Sequence, residues 1–176
     1  MRKDERGYTL VELVITSGII AMVAAAAFIT IFQIFRSNER SNDYATSVRQ
    51  VENAGYWITR DAQMSQTVTA GNLALPDFLI VNWTEWDMAG QPVYHSVKYF
   101  FDDMSGHVGT LKRLHWSNNG LNEQTLIARD IYYNSDNASY TSHVSYQSPV
   151  LSVRVTSILH DSLESREYQA ILRANY

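Results

Sequence analysis

Residues 8–35 read YTLVELVITSGIIAMVAAAAFITIFQIF and hold one carboxylate, Glu12, and no basic residue. The twenty residues 13–32 carry no charge at all. As a helix rising about 1.5 Å per residue they span about 30 Å, the thickness of a bilayer's hydrocarbon core. A long helix buried in a soluble core should show a polar face, and this one is apolar nearly all round. A cleaved secretory signal would have a shorter apolar run ending at small residues. Ala24, Ala25, Ala26 and Ala27 imitate such a site, but the run continues through Phe28, Ile29, Ile31, Phe32, Ile34 and Phe35. The segment reads as a retained membrane anchor.

Charge supplies the orientation. Arg2, Lys3 and Arg6 precede the span, while Arg36, Arg40 and Arg49 follow it more sparsely. The positive-inside bias puts the N-terminus in the cytoplasm and the rest of the chain outside it. A net charge of −4 over 176 residues argues against nucleic acid as the main partner, since duplex binding leans on a basic surface. The chain has no cysteine, which excludes disulfides and thiolate metal sites.

Beyond the anchor the periodicity changes. Tyr44, Val48, Val51, Gly55, Ile58 and Ala62 recur at spacings of four and three, which predicts an amphipathic helix over 36–68 with its stripe packed on a sheet. Gly71-Asn72 is the expected stop. Residues 78–84, 93–101, 109–116, 125–133, 150–159 and 167–174 are rich in β-branched and aromatic side chains and read as strands. Ala89-Gly90-Gln91-Pro92, Asp102-Asp103-Met104-Ser105-Gly106, Ser117-Asn118-Asn119-Gly120 and residues 134–139 separate them as turns. The alternation of Leu151, Val153 and Val155 with Ser152, Arg154 and Thr156 fits a half-solvated antiparallel strand. The fold class is α+β: a long N-terminal helix packed on a C-terminal antiparallel sheet.

Glu12 needs a partner. A carboxylate at mid-membrane costs roughly 2.5–3.5 kcal/mol, less near an interface, and no cation inside the span can serve. Glu12 reaches back to the headgroups, or another chain supplies a cation. Here the residues carry a resemblance. Arg6-Gly7-Tyr8-Thr9-Leu10-Val11-Glu12-Leu13-Val14 resembles the leader junction of type IV prepilins and type II secretion pseudopilins. That resemblance implies a cleaved basic leader over 1–7, a transmembrane and assembly helix over 8–35, its amphipathic continuation over 36–70, and a globular β domain over 71–176. It implies that prepilin peptidase cuts between Gly7 and Tyr8 and methylates the Tyr8 amine. It also implies that Glu12 pairs with the N-terminal amine of a neighbouring subunit. Tyr8 replaces the family's usual Phe. The span lacks the Pro of major pilins, so no Pro-linked break is expected; Gly18 is the weak point.

A looser resemblance narrows the group. Val97-Lys98-Tyr99-Phe100-Phe101-Asp102, Leu111-Lys112-Arg113, Leu126-Ile127-Ala128-Arg129-Asp130-Ile131, Trp57-Ile58-Thr59-Arg60-Asp61-Ala62-Gln63 and the terminal Leu172-Arg173-Ala174-Asn175 are similar to stretches of J-type minor pseudopilins and W-type minor pilins. Partners implied are prepilin peptidase, other pilin subunits, an inner-membrane assembly platform, and membrane lipid before assembly.

Catalytic chemistry has little to stand on. His95, His107, His115, His143 and His160 show no metal-ligand spacing, and neither G-x-S-x-G nor a phosphate loop occurs. Asp102-Asp103 and Asn134-Ser135-Asp136-Asn137 are oxygen-rich and could take Ca²⁺, although Asp and Asn belong in turns anyway. Lys112, Arg113, His115 and Trp116 could meet single-stranded DNA; a solvated strand edge explains them as well. The expectation is a structural subunit with no enzymatic activity, no cofactor and no metal. A DNA-uptake pilus component, or a membrane-anchored enzyme or solute-binding domain, are the alternatives.

Overall fold

In the computed structural model, one α-helix, α1, runs over Leu10–Met64. No proline interrupts residues 10–64, which leaves the backbone ladder intact along its length. The structure describes residues 9–71, 75–118, 120–136 and 139–173. Arg2, Lys3, Arg6, Gly7, Tyr8, Asn72, Asn119, Asn137, Ala174 and Asn175 therefore lie outside the described residues. The chain divides into two units, Met1–Asn42 and Asp43–Tyr176.

In the first unit every side chain of α1 from Leu10 onward is exposed. Its best 18-residue window has a mean hydropathy of 2.3 and is 0% buried, so it is long and apolar enough to cross a bilayer. The three hydroxyls of its apolar stretch, residues 10–35, fold back onto the helix. Thr16 Oγ1 donates to the Glu12 carbonyl at 2.7 Å, Ser17 Oγ to that of Val14 at 2.9 Å, and Thr30 Oγ1 to that of Ala26 at 2.9 Å. Bonded this way, they present no unsatisfied donor to hydrocarbon.

In the second unit the last turns of α1 pack on a curled antiparallel sheet. Its strands are β1 (Thr67–Ala70), β2 (Asp77–Trp86), β3 (Pro92–Ser105), β4 (Val108–Ser117), β5 (Gly120–Tyr132), β6 (His143–Gln147), β7 (Val150–Leu159) and β8 (Ser162–Ile171). The order is β1-β2-β3-β4-β5-β7-β6, with β8 on the other side of β7. Strands β2 to β5 form a meander. Register shifts at three places between β4 and β5 raise the local twist and curl the sheet.

The core forms where α1 lies against the sheet's inner face. Val51, Ala54, Ile58 and Ala62 meet Leu79, Val81, Val97, Phe101, Leu111, Ile127, Leu151 and Val153, all buried. The helix also satisfies backbone on the irregular strand β5. Asn53 Nδ2 donates to the Ile127 carbonyl at 2.6 Å, and the Arg129 N–H donates to Gln50 Oε1 at 2.8 Å. Leu151, Val153 and Val155 face inward, as the alternation predicts.

Several expectations need correction. The helix ends at Met64, not near residue 68, because Thr67, Val68 and Thr69 pair with Asn82, Val81 and Ile80 as strand β1. β-Branched side chains favour that extended state, so Gly71 (φ 81°) follows a strand rather than the helix. The buried stripe begins at Ser47, and Tyr44 is exposed. Strand β6 has no counterpart in the sequence reading.

Candidate functional site

Two places in the chain concentrate chemistry, one in each unit. At the start of α1, Thr9 is the N-cap. The Glu12 N–H donates to Thr9 Oγ1 at 3.3 Å, and the Leu13 N–H donates to the Thr9 carbonyl at 3.2 Å. Thr9-Leu10-Val11-Glu12 thus has the spacing of a capping box, with Glu12 at the third helical position. The sequence signal was present, since a Thr followed three residues later by Glu before an apolar run is a helix-start signature. The helix's partial positive charge favours an acid there by about 0.3–1 kcal/mol. A carboxylate at mid-membrane costs roughly 2.5–3.5 kcal/mol, and one this near the end of the span costs less. Glu12 is exposed, so its carboxylate is open to a cation from outside the chain.

The second place is a buried polar cluster where α1 meets β3 and β4. Asp61 is 0% exposed and Arg113 is 5% exposed. Arg113 Nε donates to Asp61 Oδ2 at 2.7 Å and Nη2 to Oδ1 at 3.2 Å, a two-point contact. The Tyr99 hydroxyl donates to Asp61 Oδ2 at 2.6 Å. Burial, and then the Asp61 carboxylate, push the Tyr99 phenol well above its ordinary value. Burial alone would lower Arg113, but its bonds to Asp61 and that carboxylate's charge outweigh this, and it is raised. Neither group titrates near neutrality, so the cluster suits a lock better than acid–base work. Trp57 completes it, with the guanidinium carbons of Arg60 and Arg113 5.1 and 5.2 Å from its ring.

Beside this cluster His95 and His115 share a hydrogen bond between Nδ1 and Nε2 at 3.1 Å. Both rings lie nearly parallel to the Trp83 indole, at centroid distances of 5.0 and 5.7 Å. Burial, then the charge of Arg113, lowers His115 below the ordinary histidine range.

Strand alternation separates the residues considered for single-stranded DNA. Arg113 is tied to Asp61, and Lys112 pairs with Asp102. Asp102 and Asp103 lie in the bulged end of β3 rather than in the expected turn, with the register shifting between Asp102 and Ser105, whereas the stretch from Asn134 is turn chemistry. Asp103 has φ 50°, and Asn134 Oδ1 accepts from the Asp136 N–H at 2.9 Å. Among the described residues no group of three His, Cys, Asp or Glu could hold a metal ion.

Residues 2–28 match the family described as the prokaryotic N-terminal methylation motif. The N-terminal segment is therefore a type IV pilin-like prepilin leader followed by its apolar helix. No curated protein and no solved structure matches the chain.

Proposed function

We propose that this chain is a structural, non-enzymatic subunit of a type IV pilus or type II secretion pseudopilus, and that prepilin peptidase cleaves it between Gly7 and Tyr8. The observation that carries the reading is the methylation motif over residues 2–28, continued by a helix whose apolar surface is wholly uncovered within the chain. In the bilayer that surface faces lipid, with the N-terminus cytoplasmic and the sheet unit extracytoplasmic. In a fibre it faces the helices of other subunits. Glu12 then pairs with the methylated amine of a neighbour.

A minor, assembly-priming or tip position is the narrower reading. It is supported by Asp61, Tyr99 and Arg113, which come from three of the five strings resembling J-type and W-type subunits and meet in one cluster. Competence pili use the same leader and are the second reading.

The test is incorporation. Glu12→Ala is expected to insert in the membrane at wild-type level yet be depleted at least severalfold from sheared fibres. A Gly7 substitution that blocks cleavage should be absent from fibres altogether. Wild-type incorporation of both variants would contradict the proposal.

A further inference from the structure

The outward face of the sheet carries a shallow groove that the assembly reading does not use. Its floor follows one register line across the strands: Thr67 opposite Asn82, Asn82 opposite Ser96, and Ser96 opposite Trp116. Thr84 lies opposite Tyr94 one step further along. Tyr94 and Trp116 line the groove as well, with Gln66, Trp83 and His95, and it holds about 260 Å³. That is just below the roughly 300–1,000 Å³ of enclosed small-molecule pockets. The groove is open to solvent, which suits a chain better than a compact ligand.

Tyr94 is held at its backbone. The Tyr94 N–H donates to Asn118 Oδ1 at 3.1 Å, and the Asn118 N–H donates back to the Tyr94 carbonyl at 2.9 Å. This pins the backbone at Tyr94 to the β4–β5 turn, so that position is organised before any ligand arrives. Tyr94 is nonetheless 62% exposed.

Charge decides the class of occupant. Among the described residues no Asp, Glu, Lys or Arg lines the groove. The nearest outward lysines are already neutralised: Lys98 Nζ lies 2.7 Å from Asp77, and Lys112 pairs with Asp102. A polyanion would find no free cation here, although it needs several. Amide and hydroxyl side chains between two aromatic rings match a neutral sugar chain. The rings cover the C–H faces of the pyranoses, and Asn82, Thr84 and Ser96 exchange hydrogen bonds with hydroxyls. We infer that this face binds an uncharged glycan chain, with Tyr94 and Trp116 as stacking residues.

The test uses the full chain in a zwitterionic detergent without a sugar headgroup, because glycoside detergents would compete. Calorimetric titration with chitotetraose is expected to show saturable binding. Tyr94→Ala and Trp116→Ala should each weaken it about tenfold, and Ser96→Arg, which fills the floor, should abolish it. Tyr56→Ala, on an exposed face of α1, should leave it unchanged. A sulfated tetrasaccharide and a proline-rich peptide serve as counter-probes and should give no saturable heat. Absence of binding to chitotetraose, equal affinity in all variants, or preference for either counter-probe would overturn the inference. The measurement is made on unassembled protein, so its failure leaves the assembly role untouched.

Discussion

At the residue scale Asp61 is the position where a small change should cost most. Its carboxylate sits at 0% exposure with an Arg113 guanidinium and a Tyr99 hydroxyl spent on it. Removing one partner of a buried ion pair leaves the other uncompensated, at about 3–5 kcal/mol. Asp61→Ala should lose that much in denaturant unfolding, whereas Tyr99→Phe should lose about 1.5–3 kcal/mol, the worth of a hydrogen bond to a charged group. The sequence offered the strings around all three residues. It did not show that they converge, because partners 38 and 52 positions apart leave no local pattern. His115 gives a pH dependence of definite sign. Its folded pKa is lowered by burial, so the unfolded chain binds the proton more readily. The stabilisation is full above the unfolded value of about 6.5 and is lost as pH falls through that value toward the folded one. The melting temperature should therefore drop on acidification below about pH 6.5, and His115→Gln should flatten that slope. A wild-type profile that rises over the same window would contradict the assignment.

At the scale of elements, helix α1 and strand β8 meet at a glycine. A Cβ on Gly55 would stand 2.2 Å from the Tyr168 ring, whose hydroxyl donates to the Val51 carbonyl at 3.2 Å. Helix propensity predicts that Gly55→Ala gains about 1 kcal/mol. Overpacking predicts a loss of about 1–3 kcal/mol. The second should win, because the ring is held at its hydroxyl end, and Gly55→Ala with Tyr168→Ala should be less destabilised than Gly55→Ala alone. The sequence placed Gly55 on the packed stripe without a reason for glycine; only β8, more than a hundred residues away, provides one. The long strands were legible because their β-branched and aromatic runs are strong. Strand β1 was not, since its four residues follow the helical periodicity without a break. Strand β6, HVSYQ, has one aliphatic residue, and its pairing with β7 comes from tertiary context.

At the scale of the whole molecule the two units ask for different surroundings. Leu10, Val11, Leu13, Val14, Phe28 and Phe32 are each more than half exposed, far beyond what a soluble monomer carries in one patch. The Asp43–Tyr176 unit has its own core. A fragment of residues 36–176 should thus stay soluble without detergent and unfold cooperatively, and its aggregation on expression would show that the core is insufficient. The anchor was the most legible part of the chain, because an uncharged run of bilayer length admits few other readings. The capping role of Thr9 for Glu12 was hidden behind the resemblance, which directs attention to a partner in another subunit. The central claim is that this anchor is a processed prepilin helix. Intact-mass measurement of protein extracted from membranes of a host with active prepilin peptidase tests it most directly. A processed chain is expected to begin at Tyr8 and carry one added methyl group; a chain that still begins at Met1 would contradict processing.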